Sequence, residues 1–208
     1  TVFNLLGVKM KEFIETLKSC GYDAHFVKTK EEAFDLSKTY IKSNMSVGLG
    51  GSETVKEIGL LDYLVNKKDI TLHNQYEAGI SMEENIKRRR QGIVSDIFVS
   101  STNAITKDGK LVNADGSGNR VAALSYGPTN VLLIVGVNKI VEDLDAGFKR
   151  VMEVAATKNI NRINKKAIEM GKEPKYNHDN IANKFSWIKA DDEIGRIIII
   201  LVDEELGY

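Results

Sequence analysis

Cysteine is nearly absent from this chain, which carries one, Cys20, among 208 residues. A single cysteine excludes an internal disulfide framework and any cysteine-based zinc or iron–sulfur site formed within one chain. Cys20 follows an amphipathic stretch and precedes Gly21, a position typical of a small residue at the end of a helix. A reducing compartment fits this composition best, and we therefore expect a cytoplasmic protein.

Histidine is also scarce, and the spacing of His25, His73 and His178 does not group them as ligands, so no metal site is predicted. Lys plus Arg and Asp plus Glu both count 29. This balance argues against a nucleic-acid partner, because the chain lacks a broad basic surface. No stretch approaches the roughly eighteen consecutive apolar residues that a membrane span needs, so no membrane partner is expected.

Hydrophobic periodicity alternates between helical and extended patterns along the chain. The spacing of Val8, Phe13, Ile14 and Leu17 indicates a first helix. Further helices are predicted over residues 31–41, 52–66, 81–91 and 141–156, and strands over residues 24–27, 46–49, 70–72, 94–99, 131–135 and 197–202. This order is typical of an α/β fold, here with a mostly parallel sheet and helices on both faces.

Two segments depart from the alternation. Residues 104–106 and 110–113 flank the pair Asp108-Gly109, which favours a tight hairpin, so a small antiparallel arm is predicted. Residues 157–193 are rich in Asn, Lys and Asp and show weak periodicity, which indicates a variable excursion or lid. We expect one α/β domain over residues 1–208, with this excursion as its variable part.

The first candidate ligand-binding segment is a strand followed by glycines and the start of a helix. Gly50 and Gly51 would let backbone N–H groups approach an anion closely. Ser52 and Thr54 would add hydroxyl donors, whereas the alternative is that Ser52 only caps the helix and the glycines only make the turn. The segment lacks the P-loop lysine and the spacing of a dinucleotide fingerprint, so neither kind of nucleotide site is predicted.

The second candidate is a long polar loop after the apolar run at residues 93–99. Asp115 is a candidate base, and Arg120 is a candidate bidentate partner for a carboxylate or phosphate. The alternative is a structural pair, in which Asp115 caps the turn and Arg120 opens a helix. The candidate ligand-binding residues of this loop are Ser101, Thr102, Asn103, Gly116, Asn119 and Arg120.

The third candidate is Asn138-Lys139, which follows the buried strand at residues 131–135. Ligands of open parallel sheets gather at the carboxyl ends of the strands, and three such ends here carry loops rich in Gly, Ser and Asn. Lys139 is a candidate anion partner, although a lysine ahead of a helix is more often solvated. The basic run at residues 87–90 is interpreted as the last turn of a helix from Ser81, in preference to a phosphate-binding patch.

Several motifs occur together in this chain: Gly50-Gly51-Ser-x-Thr, Ser101-Thr-Asn-Ala-Ile-Thr, Gly109-x-Leu-x-Asn-x-Asp-Gly-x-Gly-Asn-Arg-Val-Ala-Ala and Gly136-Val-Asn-Lys-Ile-Val. As a set they closely resemble the LUD-domain family, the lactate utilisation proteins related to lactate utilisation protein C. The resemblance covers about residues 9–156 and resumes at residues 195–208. It implies a fold similar to the sugar-phosphate isomerase and CoA-transferase superfamily, whose members hold a phosphate in a glycine-serine-threonine loop.

The resemblance also implies a place in the conversion of L-lactate to pyruvate. Many relatives carry a cysteine cluster before the closing strand, whereas residues 156–193 contain none, so their metal or iron–sulfur role is not carried over. No cofactor is predicted. Because lactate oxidation needs a redox centre, redox partner subunits are implied, and a homodimer is a further expected assembly.

The expected function is therefore that of a cytoplasmic LUD-domain protein that binds a small anion, an organic acid or a phosphate ester, at the carboxyl ends of the strands. One alternative is a purely structural partner subunit, which would leave the cleft empty. The other is a stand-alone enzyme similar to sugar-phosphate isomerases or CoA-transferases. In that alternative Asp115 or Glu53 is the catalytic base.

Overall fold

The structure, a computed structural model, describes Gly7 and residues 9–208. Val8, which the hydrophobic spacing assigns to the first helix, lies outside the described residues. The strands in that range are β1 (Asp23–Val27), β2 (Ser46–Leu49), β3 (Thr71–His73), β4 (Ile97–Ser100), β5 (Ala104–Thr106), β6 (Leu111–Asp115), β7 (Asn130–Gly136), β8 (Ile140–Val141), β9 (Lys184–Ile188) and β10 (Ile197–Val202).

The helices in the same range are α1 (Met10–Ser19), α2 (Lys30–Tyr40), α3 (Glu53–Glu57), α4 (Leu60–Asn66), α5 (Met82–Ile93), α6 (Asn119–Ser125), α7 (Leu144–Arg150) and α8 (Thr157–Glu169). A π-helical segment, Val151–Ala156, joins α7 to α8. Four of the helices begin where sequence chemistry favours it, because the side chain of the preceding residue accepts a hydrogen bond from a backbone N–H of the first turn. These capping residues are Thr29, Ser52, Ser81 and Asp143.

Six parallel strands form the central sheet in the order β1-β10-β7-β4-β2-β3. Two of its inner strands, β7 and β10, are almost wholly buried, as expected for a sheet covered on both faces. Successive residues along β10 pack into different core clusters, with Ile199 on the side of α1 and Ile198 on the side of α4. The predicted α/β fold with a mostly parallel sheet is confirmed.

A second sheet lies at the carboxyl edge of the first. It has the order β8-β5-β6-β9, with β5 and β6 antiparallel as the hairpin signal predicts. The chain enters β5 three residues after the end of β4, and it enters β8 through a 3-10 turn that directly follows β7. The loop after β4 and the loop after β7 therefore each join a strand of the first sheet to a strand of the second.

Several predicted bounds are wrong for identifiable reasons. The helix expected over residues 52–66 divides into α3 and α4, because Gly59 adopts a left-handed conformation with φ 79°. The strand expected from Val94 begins at Ile97, since Val94 ends α5. Residues 157–193, expected as a variable excursion or lid, contain α8 and β9, and β9 pairs with β6. In the part of the chain that the structure describes, no helix combines the length and apolarity needed to cross a membrane.

Candidate functional site

A cavity of about 310 Å³ opens at the carboxyl ends of β2 and β4, within the size range of small-molecule pockets. The strands β7, β4 and β2 are neighbours in the sheet, so the loops that follow them converge there. From the loop after β2 the cavity is lined by Gly50, Gly51, Ser52 and Glu53. Of the other residues predicted from sequence, it is lined by Ser101, Thr102, Asn103, Asp115, Gly116, Asn119, Arg120 and Lys139.

Two predicted ligand-binding residues lie elsewhere. Thr54 is fully buried behind the cavity, where its hydroxyl contacts Lys139. The side chain of Asn138 accepts a hydrogen bond from the backbone N–H of Leu206 at 3.1 Å and approaches the carbonyl of the same residue at 3.4 Å. Asn138 therefore fastens the C-terminal segment to the end of β7.

The glycine loop is shaped by close approaches. A Cβ on Gly50 would lie 2.4 Å from the hydroxyl of Ser100, and one on Gly51 would lie 2.8 Å from the hydroxyl of Tyr76. Ser52 caps α3 by accepting from the N–H of Val55 at 3.2 Å, which is the structural alternative for this residue. Among the described residues, the N–H groups of Gly51 and Ser52 donate to no protein acceptor. The loop that lines the cavity therefore has two backbone donors without a protein partner.

Lys139 is the most deeply placed cation of the cavity. Its side chain is fully buried, and Nζ lies 3.0 Å from the hydroxyl oxygens of both Thr54 and Ser101. No carboxylate oxygen among residues 9–208 lies within 4.0 Å of it. Burial, reinforced by the neighbouring Arg150 and Arg120, lowers the pKa of Lys139 to about 7. The alternative of a solvated lysine at this position does not apply, because the side chain is buried, and a substantial fraction of the amine is neutral near pH 7.

The guanidinium of Arg120 makes its hydrogen bonds to groups of the protein itself. A guanidinium carries five N–H donors, and those of Arg120, which is 7% exposed, are directed at five protein acceptors. The acceptors are the side-chain oxygens of Asn103, Asn113 and Asp115 and the backbone carbonyls of Ser101 and Ala114, at 2.7–3.1 Å. This arrangement is the structural pair considered as the alternative, extended to a network that holds the loops after β4 and β6 together.

Asp115 is equally engaged. One carboxylate oxygen accepts from Arg120 at 2.9–3.0 Å, and the other accepts from the backbone N–H of Val121 at 2.7 Å. Both carboxylate oxygens of Asp115 are occupied by contacts within the protein, so its geometry favours a structural role. Glu53 is the more accessible candidate: its side chain is 24% exposed, with Lys56 at 2.7 Å and Arg162 at 3.6 Å from Oε1.

Arg89 is the functional candidate that the sequence-based interpretation missed. It lines the cavity from α5, and its Nη1 donates to the hydroxyl of Ser117 at 2.7 Å. Its Nε is buried with no hydrogen-bond partner, and no carboxylate among the described residues lies within 4.0 Å. Helical spacing could have identified Arg89 from the sequence, because it lies on the inward face of α5 that it shares with Asn85 and Gly92. From the sequence alone, the whole basic run is instead interpreted as the last turn of a helix.

The helix that follows the π-helical segment forms another wall of the cavity. Asn159, Arg162 and Ile163 of α8 line it, together with Ala155 and Ala156 of the segment itself. Arg162 also donates through Nε to the hydroxyl of Tyr208 at 2.6 Å. A π-helical turn shifts the phase of a helix, so it changes which side chains of α8 face the cavity. Within residues 9–208 no group of three or more His, Cys, Asp or Glu side chains is arranged to hold a metal ion.

These features define an α/β protein with a polar, cation-lined cleft at the carboxyl edge of a parallel sheet. The family model of the LUD domain matches residues 10–202, and the chain belongs to the LUD domain family. The resemblance inferred from the motifs is thereby confirmed. A search of curated proteins finds no match to this chain.

Solved structures similar to the chain include the following three. One is a DUF162 family protein from Deinococcus radiodurans, with 13% identity, coverage of 94% of this chain and 98% of that chain, and a TM-score of 0.48. Ribose 5-phosphate isomerase from Plasmodium falciparum has 17% identity, coverage of 68% and 67%, and a TM-score of 0.35. A D-ribose-5-phosphate isomerase in complex with phospho-erythronic acid has 14% identity, coverage of 86% and 96%, and a TM-score of 0.41.

Proposed function

We propose that the cleft binds a small organic anion, and that the natural ligand is a short hydroxy or oxo acid of the lactate and pyruvate kind. The observation that carries this proposal is that Arg89 and Lys139 line one cavity without a carboxylate partner among the described residues. A partly buried guanidinium with an unpartnered donor favours a planar anion that can accept two hydrogen bonds.

The charges of the cleft divide into satisfied and unsatisfied groups. Arg120 is paired with Asp115, and both Lys56 and Arg162 lie near Glu53. Arg89 remains, together with the protonated fraction of Lys139, so a bound anion would offset positive charge that the protein itself leaves uncompensated. The unpaired backbone N–H groups of Gly51 and Ser52 line the same cavity and would add neutral donors.

Membership of the LUD domain family supports a role in lactate utilisation as part of this proposal. Oxidation of lactate to pyruvate removes two electrons and two protons, so redox partner subunits belong to the proposal as electron acceptors. The free thiol of Cys20 fits a reducing cytoplasmic setting.

Calorimetric titration with L-lactate, pyruvate, inorganic phosphate, ribose 5-phosphate and coenzyme A tests the ligand class. We expect the small carboxylates to bind, and Arg89→Gln to weaken them by about tenfold to a hundredfold, as for loss of a hydrogen bond to a charged group. Arg90→Gln is the matched control, because Arg90 is the exposed neighbour on the same helix and does not line the cavity. Absence of carboxylate binding, or equal losses in both variants, would contradict the proposal.

A second candidate is an enzyme that acts on a sugar phosphate or an acyl-CoA, and Glu53 is the observation that favours it. Its carboxylate lines the cleft and is partly exposed, as a base must be to reach a substrate proton. Tight binding of ribose 5-phosphate or coenzyme A with no binding of carboxylates, together with turnover that Glu53→Gln abolishes, would select this candidate over the first.

A further inference from the structure

The nitrogen of Lys139 has one open position. A tetrahedral amine nitrogen carries its Cε bond and three further directions, and two of these face the hydroxyls of Thr54 and Ser101 at 3.0 Å. Within residues 9–208 no other hydrogen-bond partner of Nζ is present. In the neutral amine, the two N–H bonds point to the hydroxyls, and the lone pair occupies the remaining direction.

The surroundings of Lys139 favour this neutral form. The side chain is fully buried, and burial is the main cause that lowers its pKa to about 7, followed by the positive charges of Arg150 and Arg120. Glu57 acts in the opposite direction but only as a smaller influence. Desolvation beside other cations is a known way in which proteins activate a lysine amine as a nucleophile.

We propose that Lys139 is a nucleophile that forms an imine with the carbonyl carbon of a small 2-oxo acid bound in the cleft. This inference rests on the proposed function and narrows its ligand class from organic anions to carboxylates that carry an adjacent carbonyl. The carboxylate of such a ligand would be held by the polar and cationic groups that line the cavity, while Lys139 attacks from the floor of the cavity where β7 ends.

The step is balanced without an oxidant or a cofactor. The lone pair of Nζ attacks the carbonyl carbon, a C–N bond forms, and the carbonyl oxygen takes up the proton that the nitrogen loses. The resulting carbinolamine then loses its hydroxyl group with a second proton as water, which leaves the C=N bond. The hydroxyl of Ser101, which lines the cavity and contacts Nζ, is placed to pass these protons between nitrogen and oxygen.

Reductive trapping tests the proposal on the intact chain. The protein is incubated with pyruvate and sodium cyanoborohydride, which reduces an imine to a stable secondary amine, and the modified lysines are located by peptide mass spectrometry. We expect Lys139 to be modified at least about tenfold faster than the exposed Lys165, because surface lysines are almost fully protonated at pH 7. L-lactate carries a hydroxyl group in place of the ketone and cannot form an imine. Excess L-lactate is therefore expected to compete for the cleft and to slow the reaction at Lys139 only.

Two further measurements separate the outcomes. Lys139→Met should abolish the fast modification, and Ser101→Ala should slow it. If pyruvate binds the cleft but Lys139 is modified no faster than Lys165, the imine proposal is overturned and the proposed function stands. If neither pyruvate nor L-lactate binds, both the imine proposal and the proposed function are wrong. If Lys139→Met does not fold, the modification rates of Lys139 and Lys165 in the wild-type protein still decide between these outcomes.

Discussion

The guanidinium of Arg120 donates to the side-chain oxygen of Asn113 over 2.7 Å, inside a region where both residues are buried. The same oxygen accepts from the hydroxyl of Thr102 at 3.1 Å and from the backbone N–H of Asn103 at 3.2 Å. One amide of β6 therefore connects the loop after β4 to the start of α6. Because these contacts are made within the protein, the cleft walls are set before a ligand arrives, which lowers the entropy lost on binding.

Arg120→Lys is expected to lower the free energy of unfolding by about 3 kcal/mol, because lysine leaves several of the five buried acceptors without a donor. Urea unfolding followed by circular dichroism measures the change. Arg90→Lys, on an exposed position of α5, is the control and should be nearly neutral. Unchanged stability combined with a large loss of carboxylate affinity would instead assign Arg120 to the ligand.

The adjacent glycines of the loop after β2 are expected to respond differently to alanine. In Gly50→Ala the new methyl group meets buried atoms of Ser100 and Phe98 at 2.4–3.0 Å, so a loss of about 1–3 kcal/mol in unfolding free energy is expected. In Gly51→Ala it meets only the hydroxyl end of Tyr76, the far end of a side chain, which can shift at less cost than packed core atoms. Gly51→Ala should therefore keep its melting temperature but weaken ligand binding, and equal melting temperatures for the two variants would refute this distinction.

Much of the fold is readable from the sequence because its signals are local. The β-branched run of β10, the capping residues Ser52 and Ser81, and the turn at Asp108-Gly109 each specify their own element. The weakly periodic β9 was missed, because its exposed Phe185 and Trp187 follow no clear apolar pattern and its pairing with β6 is a long-range contact. Such pairing depends on tertiary context and not on propensity.

The position of the cleft was also predictable, because parallel strands deliver their loops to a common edge. The role of each residue within the cleft was not predictable. Arg120 and Arg89 are both arginines near polar loops, and only their partners distinguish a guanidinium with five protein acceptors from one with a buried unpaired Nε. Lys139 is a candidate anion partner in the sequence, but its burial is not predictable there, because it is the register of the 3-10 turn after β7 that buries it.

Asn138→Ala is expected to loosen the C-terminal segment without changing the affinity for carboxylates. The side chain of Asn138 is bonded to the backbone of Leu206, and its loss should reduce stability by about 1 kcal/mol. Hydrogen exchange at the amide of Leu206 reports the loosening directly. A large drop in affinity with unchanged exchange would return Asn138 to the ligand-binding residues.

The stability of the protein should carry a pH dependence that belongs to Lys139. Its pKa falls from the usual 10.5 to about 7 on folding, so between those values the unfolded chain holds a proton that the folded chain does not. The free energy of unfolding therefore rises with pH in that window, by up to about 1.4 kcal/mol per pH unit from this group, and the full penalty is present below it.

Comparison of the wild-type protein with Lys139→Met isolates this contribution, because the charged groups that influence Lys139, namely Arg150, Arg120, Glu57 and Lys158, are common to both. We expect the variant to gain stability relative to the wild type at pH 6 and to lose that advantage progressively as the pH rises to 9. Urea unfolding at each pH provides the measurement. A stability difference that stays constant from pH 6 to 9 would mean that Lys139 keeps its proton in the folded state, and its amine would then be a fixed cation in the cleft.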